Sequence, residues 1–289
     1  IAIVAVLITI SNVLIDAGFS RALIQRKQVT DLDMSSVFYF NLLIAVVLAL
    51  LLCVLAPFIA QFYGLQELTP IVRILSIGLI FSGLGAVHQA KLNREMRFRR
   101  LFFVSVPAIL ISGITGVVMA LQGFGVWALV TQALLIKVLT SAFLWMHSEW
   151  CPRLEFSLQS IREMFPYGSR LAISGVLDTA FSNIYVLVIG KVFTPIEVGL
   201  FQRARSFQQL PVQNIQSIVG RVAFPLFSSI QDDPERMRKG MHKAILLVSL
   251  FVLPGMALLS GIAEPLILLL IGEHWSAAVP YLQWLCLLG

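Results

Sequence analysis

Charged residues are scarce in this 289-residue chain: they make up 12% of it, whereas hydrophobic residues make up 58%. Soluble domains carry a charge at roughly a quarter of their positions. Runs of about 20 apolar residues, long enough to cross a hydrocarbon layer of roughly 30 Å, recur along the whole sequence. The shortage of charge therefore excludes a soluble globular domain and predicts an all-α polytopic membrane protein.

Metal-binding and catalytic patterns are also missing. The three cysteines, Cys53, Cys151 and Cys286, show no CxxC spacing, and the four histidines form no pair at the spacing of helical metal ligands. The sequence contains no phosphate-binding loop, no paired catalytic carboxylates and no Ser-His-Asp grouping. We therefore expect no metal site, no cofactor and no enzymatic activity.

The net charge of +6 does not indicate a nucleic-acid partner. The basic residues are grouped in short loops between apolar runs, which is typical of helical membrane proteins. The loops at Arg21–Lys27, Lys91–Arg100, Arg153–Arg162 and Arg236–Lys243 contain fourteen Lys and Arg residues, whereas the intervening loops contain only Lys191. The positive-inside rule assigns the basic loops to the cytoplasm.

Hydropathy and loop signals predict about nine spans. Both ends of the sequence fall within apolar runs, so we expect the outermost two spans to be incomplete and both ends of the chain to be truncated. The spans lie near Ile1–Asp16, Ser35–Phe62, Pro70–Ala90, Leu101–Leu121, Gly125–Met146, Tyr167–Gly190, Val198–Ser228, Lys239–Leu270 and Ala277 to the end.

An internal repeat predicts how these spans are organised. At a displacement of about 206–210 residues, IQRKQVTDLDMSSV aligns with SIQDDPERMRKGMH, and APFIAQFYG aligns with EPLILLLIG. Both copies begin at a basic loop, which predicts two parallel-repeat bundles, residues 1–148 and 167–289. An amphipathic cytoplasmic connector, residues 149–166, joins them, with Leu154, Leu158, Ile161 and Phe165 at helical spacing. Such bundles usually enclose a substrate path, although duplication can also simply enlarge a bundle.

The predicted span near Val198–Ser228 has a polar face. On a helical wheel its polar side chains fall within an arc of about 80°. They are Gln202, Arg205, Gln209, Gln213 and Gln216. This face lines either a water-filled cavity or a polar seam, and Arg205 is a candidate for binding an anion such as phosphate. Arg203 lies on another side of the helix; it is a further candidate for the substrate cavity, or its side chain can instead reach the membrane interface.

The neighbouring span contains the acid Asp178, with Asn183 and Arg170 nearby. An acid within a span either pairs with a basic residue or binds a coupling ion, H⁺ or Na⁺, and both readings stay open here. Arg170 is a further candidate for the substrate cavity.

Other polar positions are weaker candidates. Asp16 shares one face of the first span with Thr9 and Asn12, but it lies so near the cytoplasmic end that capping or interfacial contact explains it. Lys137, Arg73 and Glu264 are isolated and lie near span ends.

Several loop motifs are similar to those of a known family. They are DAGFSRALIQRK from Asp16, GAVHQAKLNREMRFRRL from Gly85, GFGVWALV from Gly123, QDDPERMRKG from Gln231 and GEHWSAAVPYLQWL from Gly272. Together they resemble the polysaccharide-exporter (Wzx-type) flippases of the multidrug/oligosaccharidyl-lipid/polysaccharide superfamily, in particular the colanic-acid and teichuronic-acid branch.

The resemblance implies a MATE-like fold of two six-helix bundles facing each other in a V and opening alternately to either side. It also implies flipping of polyprenyl-diphosphate-linked oligosaccharides across a bacterial inner membrane, in lipopolysaccharide or exopolysaccharide biosynthesis. Membrane lipids and polysaccharide polymerase or assembly proteins are the expected partners. The alternatives are a multidrug antiporter, a lipid II flippase and, from another class, a membrane glycan polymerase or ligase. An enzyme of that last class normally has a large periplasmic loop, whereas the predicted outer loops have about ten residues or fewer.

Overall fold

The computed structural model describes residues 2–16, 19–25, 29–194, 196–212 and 234–288. All the regular secondary structure in these ranges is helical, which confirms the predicted all-α class. The helices are α1 (Ala2–Asp16), α2 (Phe19–Gln25), α3 (Asp31–Tyr63), α4 (Leu68–Arg94), α5 (Phe98–Leu121), α6 (Val126–His147), α7 (Leu158–Val192), α8 (196–212), α9 (Pro234–Gly261), α10 (Ala263–Ile271) and α11 (Val279–Leu288), with a 3₁₀ turn at Glu273–Ala278.

Six of the described helices are long and apolar enough to cross a membrane: α3, α4, α5, α6, α7 and most of α9. With its 33 residues α3 is about 50 Å long, which exceeds the roughly 30 Å of a hydrocarbon core. The chain is therefore a multi-pass membrane protein. Helix α1 is apolar but has only 15 residues, and much of the predicted Val198–Ser228 span lies outside the described residues. The total of about nine spans stays a prediction.

The sequence predicted one continuous span near Lys239–Leu270, and this prediction was wrong. Helix α9 ends at Gly261, and α10 begins at Ala263. Pro265 has no N–H group to donate to the carbonyl of Gly261, four residues earlier, so the α-helical hydrogen-bond ladder is interrupted there. Pro265 lies in the first turn of α10, where a helix does not need that N–H group.

Local capping residues determine where α3 begins and ends. The Asp33 N–H donates to the Thr30 hydroxyl oxygen at 3.2 Å, and the Thr30 N–H donates to the Asp33 carboxylate at 3.0 Å. This reciprocal pair is a capping box, which satisfies two backbone donors that have no partner inside the helix. At the other end, Gly64 adopts a φ of 68°, the left-handed conformation that commonly ends a helix.

The chain divides into two compact units, Ile1–Lys191 and Val192–Gly289. In the first unit, α3 and α4 pack closely around a core that includes Ala45 and Leu79. A Cβ atom at Gly83 would lie 2.8 Å from the Cβ of Ala45, so this approach of the two helices requires glycine.

The second unit has its own small core. Its buried residues come from α8, α9, α10, the 3₁₀ turn and α11: Ala204, Met256, Ala263, Ile267, Ala278, Leu282 and Cys286. The alanines let the short helices approach each other closely, in the way that small residues do at helix interfaces in membranes.

The predicted repeat boundaries at residues 148 and 167 stay predictions, but the connector differs in detail from its expected form. Its helix begins only at Leu158, so Leu154 precedes the helix and is 95% exposed. Leu154 therefore does not lie on this helix, and the amphipathic connector itself stays a prediction. Ile161, by contrast, is 4% exposed and packs in a core with residues of α2 and α3.

Candidate functional site

A cavity of about 1030 Å³ lies among α1, α2, α4, α6 and α7 of the first unit. More than half of its lining residues have polar side chains: Thr9, Asn12, Asp16, Ser20, Ser82, Gln89, Asn93, Lys137, Thr140, Ser141, Ser174, Asp178 and Thr179. Polar groups at membrane depth are costly unless they face water, a ligand or one another. The cavity is therefore the candidate functional site.

The cavity lies towards the ends of its helices that carry the basic loops. Its lining on α4 runs from Phe81 to Asn93, and its lining on α6 runs from Ile136 to Leu144, in the C-terminal half of each helix. The positive-inside rule assigns these ends to the cytoplasm.

Helical spacing aligns the polar residues of α4. Ser82, Gln89 and Asn93 fall within about 40° of one another on the helical wheel, so one face of α4 supplies a polar line to the cavity. This polar line was not predicted, although its spacing of seven and four residues is visible in the sequence.

Helix α6 contributes Lys137, Thr140 and Ser141 to the cavity. The stem of Lys137 passes close to Gly78 of α4, where an added Cβ would lie 3.7 Å from its Cγ. The interpretation of Lys137 as an isolated residue near a span end therefore missed its position in this lining.

The charged residues of the lining are Asp16, Lys137 and Asp178. Within the described residues, none of the three has an ion-pair or hydrogen-bond partner. Two lining hydroxyls, of Ser20 and Ser82, are buried and also lack a hydrogen-bond partner there. Because buried polar atoms are nearly always hydrogen-bonded, these groups are available to water or to a bound molecule.

Of the three predicted site residues on α7, one lines the cavity and two do not. Asp178 lines the cavity. The Asn183 side chain donates to the Thr179 carbonyl at 2.8 Å, within its own helix, and Arg170 is exposed and lies outside the cavity lining. The roles predicted for these residues stay predictions.

In the second unit, a capping box begins α8. The Thr194 N–H donates to the Glu197 carboxylate at 2.8 Å, and the Thr194 hydroxyl donates to it at 2.9 Å. These hydrogen bonds hold the pKa of Glu197 below its usual range, because they stabilise the ionised carboxylate. The start of α8 is thereby fixed just before the predicted polar face.

Two faces of α8 differ in what they contact. Leu200, Ala204 and Phe207 pack into the core of the second unit. The described members of the predicted polar face lie about 140–200° away from Leu200 on the helical wheel. They are Gln202, Arg205 and Gln209. On the wheel the polar face therefore lies opposite the face that packs into this core, and Oε1 of Gln202 is buried without a hydrogen-bond partner among the described residues.

The two arginines of α8 have different contacts. With the Gln209 amide oriented so that its oxygen faces Arg205, Nε and Nη2 of Arg205 donate to that oxygen at 3.1 and 3.3 Å. The Arg203 guanidinium lies 5.2 Å from the centre of the Trp275 ring, a cation–π contact. Gln213 and Gln216 lie outside the described residues, and the substrate-binding role of this face stays a prediction.

The α6–α7 loop, residues 148–157, is fastened to the start of α3. The backbone N–H groups of Arg153 and Ser157 donate to the hydroxyls of Ser35 and Ser36 at 3.1 and 2.8 Å. Trp150 is 5% exposed, and its ring centre lies 5.2 Å from that of His88. The loop is thus held by backbone hydrogen bonds and by a buried aromatic anchor.

The family model described as "polysaccharide biosynthesis protein" matches residues 1–280. The chain belongs to this family. The resemblance inferred from the loop motifs is thereby confirmed at the level of the family. No solved structure matches the chain.

Three relatives illustrate the similarity. Teichuronic acid biosynthesis protein TuaB of Bacillus subtilis is 29% identical over 96% of this chain and 58% of its own length. Lipopolysaccharide biosynthesis protein WzxC of Escherichia coli is 25% identical over 98% of this chain and 58% of its own. Succinoglycan biosynthesis transport protein ExoT of Rhizobium meliloti is 29% identical over 94% and 55%. The chain thus spans less than two thirds of each of these relatives.

Proposed function

We propose that the full protein moves a polyprenyl-diphosphate-linked oligosaccharide from the cytoplasmic to the periplasmic leaflet of the bacterial inner membrane. The polar cavity towards the cytoplasmic ends of α4 and α6, in a member of the polysaccharide biosynthesis family, is the observation that carries this proposal. The name of the relative ExoT, a succinoglycan biosynthesis transport protein, supports it.

The physical need for such a protein is clear. A diphosphate with a hydrophilic glycan cannot cross hydrocarbon unaided, because its charges and hydroxyls would lose their hydration. Polar side chains within the bundles would replace that hydration while the polyprenyl tail stays in the lipid. Arg205 and the glutamines of α8 are the proposed contacts for the charged part of the substrate.

Translocation would follow from alternating access. Two bundles that rock against each other expose a bound headgroup first to the cytoplasm and then to the periplasm. Asp178, which lines the cavity, is the candidate H⁺ or Na⁺ site that couples this motion to an ion gradient. The protein itself makes and breaks no glycosidic bond in this scheme, and polymerase or assembly proteins act on the flipped product.

The cavity charges also favour a second candidate function, a multidrug antiporter. Asp16 and Asp178 both line the cavity without a partner among the described residues, and unpaired carboxylates attract cations. A cation antiporter would lower the susceptibility of cells to cationic drugs, whereas a flippase would leave it unchanged.

Complementation tests the flippase proposal. A strain that lacks the full-length gene should accumulate lipid-linked repeat units in its cytoplasmic leaflet and lose its surface polysaccharide, and the gene should reverse both effects. A normal pool of repeat units in the deletion strain, together with altered drug susceptibility, would favour the antiporter.

Two variants sharpen this test. Arg205→Gln should abolish polysaccharide display while leaving membrane insertion intact, because it removes the charge proposed to bind the diphosphate. The matched control is Arg203→Gln, which removes an equal charge from the Trp275 contact and should reduce display much less. Equal display by both variants and the parent would overturn the role of Arg205.

A further inference from the structure

The charges of the first-unit cavity show which part of a lipid-linked oligosaccharide suits it. Its described ionisable lining residues are two acids, Asp16 and Asp178, and one base, Lys137. The diphosphate of such a lipid, esterified at both ends, carries about two negative charges, and phosphate-binding sites normally present arginines, lysines or converging backbone N–H groups. A lining with an excess of carboxylates repels such a group. The described lining therefore suits an uncharged group better than a diphosphate.

The uncharged lining residues suit sugars instead. The amides of Gln89 and Asn93 each offer donors and an acceptor, as do pairs of neighbouring sugar hydroxyls. The Asn12 amide already donates to the Ile8 carbonyl at 2.8 Å, and its oxygen remains as an acceptor. Carboxylates such as Asp178 accept from two hydroxyls at once. Phe81 adds an apolar surface, against which the C–H face of a sugar ring can pack.

An unsatisfied buried hydroxyl points to the same conclusion. Ser20 lines the cavity and is only 8% exposed, yet its Oγ has no hydrogen-bond partner in the described part of the chain. A bound hydroxyl would satisfy it. The cavity volume of about 1030 Å³ is at the upper end of small-molecule sites, which span roughly 300–1000 Å³, so it can hold more than one sugar ring.

We infer that the first-unit cavity is a saccharide site, which binds uncharged sugar residues of the oligosaccharide while the diphosphate binds elsewhere. This inference rests on the proposed function, and it assigns the sugars and the diphosphate of one substrate to two different binding sites. Recognition by hydroxyl hydrogen bonds in this cavity would then be the step that distinguishes one glycan from another.

Saturation-transfer NMR on the purified full-length protein in detergent tests the inference. The probe is the repeat oligosaccharide released, without lipid or phosphate, from the surface polysaccharide of the host. We expect saturation transfer to its ring protons, and a tenfold molar excess of inorganic diphosphate should not displace it. Absence of transfer, or displacement by diphosphate, would overturn the inference.

Substitutions then locate the site. Gln89→Leu and Asn93→Leu should each weaken oligosaccharide binding about tenfold, whereas Asn93→Asp, which keeps an acceptor, should retain most of it. The matched control is Gln122→Leu, an exposed amide at the end of α5 outside the cavity lining, which should bind as the parent does. Unchanged binding in both leucine variants would refute this location. The diphosphate competition uses the unaltered protein, so it decides the matter even if a variant fails to fold.

Failure of this inference is distinguishable from failure of the proposed function. If the deletion strain accumulates lipid-linked repeat units but the protein shows no saturation transfer, translocation stands and the saccharide site does not. If the strain accumulates no such units, the flippase proposal fails regardless of sugar binding.

Discussion

Two groups of charged residues in the first unit differ in how they are compensated. At the cytoplasmic ends of the helices, Glu149 contacts Arg97 at 3.1 Å and Arg100 at 2.5 Å, and Asp31 contacts Arg153 at 3.3 Å. The charged residues of the cavity have no such contacts within the described residues. Among the described residues, Glu149 and Asp31 are thus compensated by arginines, whereas Asp16, Lys137 and Asp178 have no ion-pair partner.

This contrast separates structural charges from functional ones. Exposed ion pairs stabilise a fold only weakly, but they fix the positions of loops. Unpaired charges within a span cost several kcal/mol unless water or a ligand solvates them, so a fold that keeps them does not use them for stability. We therefore expect changes at the cytoplasmic end to alter stability, and changes in the cavity to alter transport.

The largest loss of stability should come from Trp150→Ala in the α6–α7 loop. The Trp150 ring is buried against His88 and Phe38, and removing such a side chain costs about 3–5 kcal/mol. Thermal unfolding of the purified full-length protein in detergent should show a clearly lowered apparent Tm. The control is Trp150→Phe, which keeps a ring and loses no hydrogen bond to a described residue, because Nε1 has no partner there. An alanine variant as stable as the parent would mean that the loop is not anchored by this ring.

Among changes in the first unit, the largest loss of transport should come from Lys137→Glu in the cavity. The substitution replaces the single described basic group of the lining with a third acid, and a charge of the wrong sign within a span is highly unfavourable. Surface polysaccharide per cell, normalised to the amount of protein in the membrane, should fall at least about tenfold. Lys137→Arg keeps the charge and should retain most of the display. Normal display by the glutamate variant would show that the open charges of the cavity have no role in transport.

The sequence predicted the helices better than it predicted the site. Spans such as Ser35–Phe62 were identified correctly because a long apolar run has few alternatives in a membrane, and α3 contains that range. The interruption between α9 and α10 was missed because hydropathy, averaged over a window, does not register one absent hydrogen bond at Pro265.

The cavity was only partly predictable because it is a tertiary feature. The face of α8 was visible in the sequence since its polar residues follow one another on a single helix. Lys137 and Gln89, in contrast, lie on different helices, and each looks isolated along its own span. Only the packing of α1, α2, α4, α6 and α7 brings such residues to one surface.

The smallest expected effect is that of Glu149→Gln, which tests the role of the charged residues that form ion pairs. Hydrogen bonds from Arg100 and Arg97 stabilise the ionised carboxylate and lower the pKa of Glu149 below its ordinary value of 4.5. A carboxylate with a lowered pKa contributes to stability above that ordinary value, and the contribution disappears as the pH falls through the lowered pKa.

At neutral pH, Glu149→Gln should therefore lower the apparent Tm by no more than about 2 °C and leave polysaccharide display unchanged, because the pair is exposed and screened. The difference from the parent should vanish in acid, where the parent loses the same charge. Glu155→Gln, in the same loop but without an ion pair among the described residues, should show no shift at either pH. A loss of display in Glu149→Gln at normal stability would show that a paired surface charge takes part in transport, and the division between structural and functional charges would then fail.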